Sequence, residues 1–269
     1  MYPTNRWGDK MEDKLVTWIK KDGICTITMN SPKTLNALSS VLTANLEEAF
    51  EDCFDETVRA VVLTGNGKAF CAGGDLQGML DMGAPKWLQQ VPKKLAVVIS
   101  TIRELPKPVI AAVNGPAMGV GMSVAMACDL RIASDKATFV QAYTSVGLSP
   151  DGAWTLTVPR IIGLSKAMEM LLLDKPVNAE EALRIGMISM VVPADSFIEE
   201  TDKLAAKLAS GPTLAFARGK QLINRSLLRE LECQMENERL SIMAGGASND
   251  FIEGTDAVFK KRKPEFNGR

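Results

Sequence analysis

The sequence contains no histidine among its 269 residues. Because serine and cysteine nucleophiles are usually activated by a histidine, this absence excludes Ser–His and Cys–His pairs. The five cysteines are scattered without a CxxC pair, which favours reduced thiols over a disulfide framework, and no metal site is indicated. No run of eighteen apolar residues occurs, and the first twenty residues have charges throughout. We therefore expect a soluble cytoplasmic protein with no membrane partner.

The composition indicates a globular chain with a large core. Hydrophobic residues make up 46% of the sequence and charged residues 23%. The formal net charge of −1 argues against a nucleic-acid partner, because polyanion binding needs a basic surface. The one basic cluster, at 260–263, is local and is typical of a solvated face.

Apolar patterning predicts an α/β fold in the first two thirds of the chain. Two strands are expected between residues 15 and 29, followed by a helix that Ser39 or Ser40 caps. The next predicted elements are strands at 58–64, 108–113 and 129–133 and helices at 87–103 and 118–128. This repetition of strand and helix is typical of a layered core.

The last third of the chain is predicted to be mostly helical. A short helix at 180–185 and a strand at 187–192 precede helices that break at 211–212 and 245–246. Apolar side chains in this region could pack on another subunit or back on the core of the same chain, and sequence leaves both open: Met235, Leu240, Ile242 and Met243.

Two glycine-rich segments, 68–76 and 114–121, each follow an apolar strand-like run. Neither is a phosphate loop, because 119–124 lacks the third glycine of the dinucleotide fingerprint and 65–69 lacks the Walker spacing. A single glycine is more often a turn device than a functional residue. As a pair, however, the segments predict two backbone N–H donors directed at one oxygen.

These segments resemble the two signatures of the enoyl-CoA hydratase/isomerase family, the crotonase superfamily. The first lies in FCAGGDL at 70–76 and the second in NGPAMGVG at 114–121, continuing to Cys128 and Asp129. Segments at 36–38, 167–170, 179–182 and 259–264 extend the resemblance over about 15–266. It implies a crotonase (ClpP-like) spiral of ββα repeats at 12–205 and a C-terminal helical region at 206–269 for trimerisation and CoA capping.

The resemblance also implies the substrate and the assembly. The substrate would be an acyl-CoA of fatty acid metabolism, with coenzyme A as part of the thioester and no separate cofactor. The chain would form a homotrimer or a dimer of trimers. By position, the thioester oxygen would lie between the amides of Gly74 and Val120, although the family usually has glycine where Val120 stands.

The expected proton-transfer group is Asp151. In hydratases of the family two glutamates flank a water, and by position they fall at Ser123 and Tyr143, so both carboxylates are missing here. Asp151 stands where Δ3,Δ2-enoyl-CoA isomerases and ring-epoxide isomerases have their Asp or Glu. The alternative is a turn or helix-capping residue, because Ser-Pro-Asp-Gly is strong turn chemistry.

Tyr143 has two possible roles. It could orient substrate or donate a hydrogen bond, or it could be a core aromatic residue at a strand end. Dehalogenases of the superfamily also have an aromatic residue there, but they need a histidine that this chain lacks. Ser123 is expected to be a small residue lining the pocket.

Coenzyme A contacts are carried over from the family by position. The expected contact residues are Lys33, Leu35, Ala37, Ala72, Asp75, Leu76, Gly119, Phe259 and Lys260. Residues 77–92 are expected to form a mobile wall over the acyl group, since such loops vary with substrate.

The sequence therefore predicts an acyl-CoA isomerase that shifts a double bond, or an equivalent bond, with one aspartate as acid and base. An enoyl-CoA hydratase that works with one carboxylate is the nearest alternative. A non-catalytic CoA-binding homologue is a third possibility, because both hydratase glutamates are absent.

Overall fold

The computed structural model describes residues 14–227 and 230–268. Its main sheet has the strand order β1-β2-β3-β4-β6-β9, with β1 and β2 antiparallel and every later pair parallel. These strands are β1 (Val16–Lys21), β2 (Ile24–Met29), β3 (Ala60–Gly65), β4 (Val109–Val113), β6 (Leu130–Ser134) and β9 (Met190–Val192). A smaller sheet joins β5 (Ala117–Met118), β7 (Thr138–Val140) and β8 (Val177–Asn178). The predicted α/β class is confirmed.

Helices connect and cover the strands. In chain order they are α1 (Ser40–Asp52), α2 (Leu76–Met82), α3 (Ala84–Glu104), α4 (Val120–Ala127), α5 (Trp154–Ile162), α6 (Leu164–Leu173), α7 (Ala179–Arg184), α8 (Phe197–Ala209), α9 (Thr213–Leu227), α10 (Leu231–Gly246) and α11 (Asn249–Phe259). The Ser39 side chain caps α1 by accepting from Leu42 N, as the sequence predicts. None of the described helices has the length and apolar character needed to cross a membrane.

The central strand β4 and helix α4 are completely buried. Every residue of β4 is buried, as expected for a strand covered on both faces of a parallel sheet. Every residue of α4 is buried as well, and these are mostly small side chains that let the helix approach its neighbours closely. A Cβ on Gly121 would lie 2.5 Å from Cys71 O, so only glycine allows this approach.

Three predicted elements have different boundaries in the structure. The helix predicted at 118–128 begins only at Val120, because Ala117 and Met118 pair with β7. The strand predicted at 187–192 begins at Met190, since Met187 N instead bonds to Ala182 O and ends α7. Residues 77–92, predicted as a wall whose last part overlaps the helix predicted at 87–103, belong to α2 and to α3, which begins at Ala84; Gly83 separates the two helices at φ +87°. Their mobility stays a prediction.

The C-terminal helices break where the sequence predicts. The 211–212 break lies between α8 and α9, and α10 ends at Gly246. Of the apolar residues that could have faced another subunit, Met235 and Ile242 are buried in the chain's own core, whereas Leu240 is 53% exposed. Packing on its own core therefore accounts for part of this surface. The assignment of 206–269 to oligomerisation stays a prediction.

Candidate active site

The two glycine-rich segments lie side by side, as their pairing in the sequence suggests. Cys71 and Ala117 form a parallel bridge, and Met118 N donates to Cys71 O at 2.9 Å. Gly73 adopts φ +101°, and a Cβ there would lie 3.0 Å from Met118 O. Glycine is required at this position both by the left-handed backbone and by the close neighbour.

Each segment presents an amide N–H without a protein acceptor. Val120 is the first residue of α4, and N–H groups in the first helical turn have no intrahelical partner. Gly74 follows the Gly73 turn and precedes Asp75, the N-cap of α2. Among the residues that the structure describes, no hydrogen-bond acceptor for either amide is found. Both groups are therefore available to bind an oxygen.

The indole of Trp87 lies beside Gly74. A Cβ built on Gly74 would be 3.4 Å from Trp87 Cη2, and the Trp87 side chain is buried on α3. Trp87 thus forms part of the wall beside one free donor. Residue 87 belongs to the segment 77–92 that the sequence predicts as the wall over the acyl group.

Asp151 is buried beside two hydroxyl groups. Its Oδ1 accepts from Tyr143 Oη at 2.9 Å, and its own carbonyl oxygen accepts from Ser123 Oγ at 3.0 Å. Ser123 Oγ and Tyr143 Oη are also 3.0 Å apart. A tyrosine hydroxyl has only one proton, so when Tyr143 donates to the Asp151 carboxyl, the donor to the Asp151 backbone carbonyl is Ser123.

Burial sets the protonation of this group. Desolvation raises the pKa of Asp151 to about 6, although the hydrogen bond from Tyr143 opposes the rise. The pKa of Tyr143 is raised well above its ordinary value, first by burial and then by the Asp151 charge. Tyr143 therefore stays a neutral donor, while the Asp151 carboxyl can gain or lose a proton near neutral pH.

The alternative reading of Asp151 as a helix cap is wrong. The N-cap residue of helix α5 is Ala153, whose side chain makes no capping hydrogen bond. Asp151 nevertheless belongs to a turn, because its carbonyl accepts from Trp154 N at 3.3 Å. Its carboxyl is turned towards Tyr143 and not towards the helix.

Gly152 brings the aspartate next to the donor helix. A Cβ at Gly152 would lie 3.0 Å from Ser123 Cβ and 3.2 Å from Val120 Cγ2. Gly152 also adopts φ +67°, which glycine tolerates best. The branched Val120 side chain thus packs against the turn that bears Asp151.

The predicted CoA residues before and after β3 lie together. Ala72 N donates to Leu35 O at 2.9 Å, and Leu38 bridges to Gly74, so the segments 33–38 and 71–76 form one surface. Lys33 and Leu35 are exposed there, and Asp75 caps α2 by accepting from Gly78 N. Gly119 has φ +51° at the N-cap of α4.

Phe259 and Lys260 lie at the C-terminal end of α11. Phe259 is the last residue of α11 and is 49% exposed, and Lys260 pairs with Asp256 at 2.9 Å. The main contacts of α11 are with the 3-10 turn Thr144–Val146 and with α10. A role of these two residues in binding CoA stays a prediction.

Sequence reasoning missed two polar side chains that hold the site. Asn36 is fully buried at φ +59°, and its amide donates to the carbonyls of Asn66, Ala69 and Phe70. It thereby fixes the first glycine segment. The other is Glu238, buried on α10 beside the turn of Asp151. In the sequence, an asparagine at position 36 within an ordinary turn only weakly indicates such a role, and nothing around Glu238 indicates one.

Comparisons with known proteins agree with this geometry. The family model for enoyl-CoA hydratase/isomerase matches residues 19–269. A probable enoyl-CoA hydratase from Rhodobacter capsulatus is 39% identical over 92% of this chain and 96% of its own. The 1,2-epoxyphenylacetyl-CoA isomerase of Escherichia coli is 36% identical over 96% of this chain and 100% of its own. The crystal structure of an enoyl-CoA hydratase from Mycobacterium avium subsp. paratuberculosis is similar with a TM-score of 0.87 at 35% identity, covering 94% of this chain and 98% of that one.

Proposed function

Since this chain belongs to the enoyl-CoA hydratase/isomerase family and has the crotonase fold, we propose that it is an acyl-CoA isomerase with Asp151 as its single acid and base. The observation on which the proposal depends is the buried Asp151 carboxyl, which accepts a hydrogen bond from Tyr143 and whose turn packs at Gly152 against the Val120 side chain. Such a carboxyl can take a proton from one carbon and return it to another.

In this proposal the thioester oxygen binds to the N–H groups of Gly74 and Val120. Removing a proton from the carbon next to the thioester gives an enolate, whose charge develops on that oxygen. Two fixed donors bind the enolate more strongly than the neutral carbonyl, and one such donor is worth about 3 to 4 kcal/mol. The positive end of α4 at Val120 acts in the same direction.

Asp151 then transfers the proton. The ionised carboxylate takes a proton from the carbon beside the thioester and becomes a carboxylic acid. It returns that proton to the carbon two bonds further along the enolate, so the double bond moves and the carboxylate is regenerated. A pKa of about 6 suits both steps, because the group is mostly ionised at pH 7 yet is a stronger base than an exposed aspartate.

Tyr143 would hold the Asp151 carboxyl in place and lower its pKa. Its hydroxyl donates to Oδ1, which leaves Oδ2 for the substrate proton. Ser123 supports Tyr143 and the Asp151 carbonyl from α4. These hydroxyls stand where hydratases of the family would have carboxylates, which favours isomerisation over addition of water.

The coenzyme A part of the substrate would lie on the surface formed by 33–38 and 71–76. We propose that Lys33, Leu35, Ala37, Ala72 and Leu76 contact it, largely through their backbone. We also expect a homotrimer or a dimer of trimers, which sedimentation equilibrium would measure.

The test is isomerisation of a 3-enoyl-CoA to its 2-enoyl isomer, compared between wild type and Asp151→Asn. We expect turnover by the wild type and a loss of about 10²- to 10⁴-fold in kcat for the variant, the usual value of a positioned acid or base. Acyl-CoA binding, measured by calorimetry, should change little. Binding without turnover of any acyl-CoA would instead indicate a non-catalytic homologue.

A hydratase is the second candidate function. The 39% identity with a probable enoyl-CoA hydratase favours it. In that case a 2-enoyl-CoA would be converted to a 3-hydroxyacyl-CoA faster than a 3-enoyl-CoA is isomerised. The ratio of these two rates, measured on one preparation, decides between the two candidates.

A further inference from the structure

One face of helix α10 follows the turn that bears Asp151. The residues on this face are spaced by four, three and four positions, so they lie on one side of the helix. They are Gln234, Glu238, Ser241 and Gly245. Each of them contacts a successive part of the segment 147–155.

The centre of this contact is the Glu238 carboxylate, which is 3% exposed. Its Oε2 accepts from Ala153 N at 2.6 Å, and its Oε1 accepts from Thr155 N at 2.9 Å. The Thr155 hydroxyl also donates to Oε1. Three donors from one short segment thus converge on one side chain.

Other members of the face contact the same segment on either side of Glu238. Ser149 and Ser241 join their hydroxyls at 2.9 Å, and Gln234 donates to the Thr155 hydroxyl at 2.6 Å. A Cβ on Gly245 would lie 3.3 Å from Gly147 O. The helix and the segment are therefore in contact from one end of the segment to the other.

The segment needs this support because its own residues cannot cap α5. Ala153 is the N-cap at φ +62°, a strained conformation for a residue with a Cβ, and alanine has no side-chain acceptor. The first N–H groups of a helix require partners from elsewhere. Glu238 supplies these partners, and its charge also suits the positive end of the helix.

The electrostatics of the pair agree with this geometry. Burial raises the pKa of Glu238 to about 7, the hydrogen bonds from Thr155 oppose the rise, and the Asp151 charge adds to it. Glu238 and Asp151 are therefore close enough to affect each other, although the Glu238 oxygens are occupied by the backbone.

We propose that Glu238 is a positioning residue, which holds the segment 153–155 so that the Asp151 carboxyl faces the donor helix α4. This inference rests on the proposed function of Asp151. Glu238 does not itself exchange protons with the substrate, because its oxygens bind Ala153 and Thr155.

The kinetic test compares Glu238→Gln and Glu238→Ala with wild type. Glu236→Gln is the matched control, because Glu236 pairs with Arg239 at an exposed site on the same helix. Misplacing a reacting group by about 1 Å can cost about 10²-fold. We expect kcat to fall about tenfold for Glu238→Gln and about hundredfold for Glu238→Ala, with KM within about twofold of wild type.

Loss of folded protein must be separated from loss of position. The concentration of intact sites is therefore counted by calorimetric titration with a non-reactive acyl-CoA thioether, and kcat is expressed per binding site. A wild-type kcat per site in both Glu238 variants would overturn the proposal. So would a loss of activity that matched the loss of binding sites.

A second measurement does not depend on activity. Amide hydrogen exchange at Ala153 and Thr155 should become at least tenfold faster in Glu238→Ala and stay unchanged in Glu236→Gln. Unchanged exchange would overturn the proposal even if activity fell. If the wild type has no isomerase activity, the proposed function fails, and faster exchange would still show that Glu238 holds the segment.

Discussion

Replacing Tyr143 by phenylalanine should move the pH dependence of the proposed isomerase. The ionised form of Asp151 is the base, so kcat/KM should fall as the pH drops through about 6. The Tyr143 hydroxyl donates to Oδ1 at 2.9 Å and stabilises the ionised form, which lowers the pKa. Removing that hydroxyl therefore raises the pKa, and the acid limb moves to higher pH.

The size of the shift follows from the strength of the hydrogen bond. A buried hydrogen bond to a charged group is worth about 1.5 to 3 kcal/mol, and about 1.4 kcal/mol corresponds to one pH unit. The limb should therefore move by about one to two units. At pH 6 the Tyr143→Phe variant should have about a fifth of the wild-type kcat/KM or less, whereas at pH 9 the two should be nearly equal.

The assay is the initial rate of 3-enoyl-CoA isomerisation at low substrate concentration, measured from pH 5 to pH 9. Ser123→Ala is the control, because Ser123 donates to the peptide carbonyl of Asp151 and not to its carboxyl. Its limb should move less than that of Tyr143→Phe. A limb that stays in place in Tyr143→Phe, or moves to lower pH, would refute the reasoning about Asp151. A loss of kcat/KM that is equal at all pH values would mean that Tyr143 positions the carboxyl or reacts itself and does not set the pKa of Asp151.

Three further substitutions test the site. Asp151→Asn should raise the free energy of unfolding at pH 8 by up to about 3 kcal/mol, and this gain should vanish near pH 4. The reason is that the buried carboxyl has a raised pKa and destabilises the folded state only where it is ionised. Denaturant titration at both pH values measures the difference. Gly152→Ala should lower the melting temperature and kcat together, since residue 152 has φ +67° and the added methyl group would lie 3.2 Å from Val120 Cγ2. An unchanged kcat would contradict the inference that this turn must pack closely on Val120. Trp87→Ala should raise kcat/KM for bulky acyl groups relative to short ones, because the indole lies 3.4 Å from the Cβ position of Gly74, and equal ratios in both proteins would contradict this.

The sequence could predict the elements that have regular apolar patterns. The Ser39 cap, the buried run of β4 and the helix breaks at 211–212 and 245–246 follow from local rules. Each of these features depends on residues that are close together in the chain, so local patterns are sufficient to predict it. The boundaries of α4 differ because Ala117 and Met118 pair with β7, a partner about twenty residues away that local patterning does not reveal.

The candidate site could be predicted only in part. The two glycine segments and Asp151 lie in recognisable motifs, and the structure brings the segments together and puts the Asp151 turn against the donor helix α4. Glu238 could not be predicted, because it occupies a core-facing position of α10 between Met235 and Ile242, where helical spacing predicts an apolar side chain. Glu238 binds backbone N–H groups, one of them 85 positions earlier in the chain, and a sequence does not show which backbone groups need a partner.

That separation also bears on how the chain is made. The turn leaves the ribosome before its carboxylate partner is synthesised, since Glu238 lies 85 positions after Ala153. At about 5 to 20 residues per second, the delay is about 4 to 17 s. During this interval the nascent turn has unpaired N–H groups and no cap for α5, so it is a place where chaperones and proteases can act. A nascent chain arrested before α10 would contain both glycine segments and Asp151 but would lack the carboxylate that binds Ala153 and Thr155.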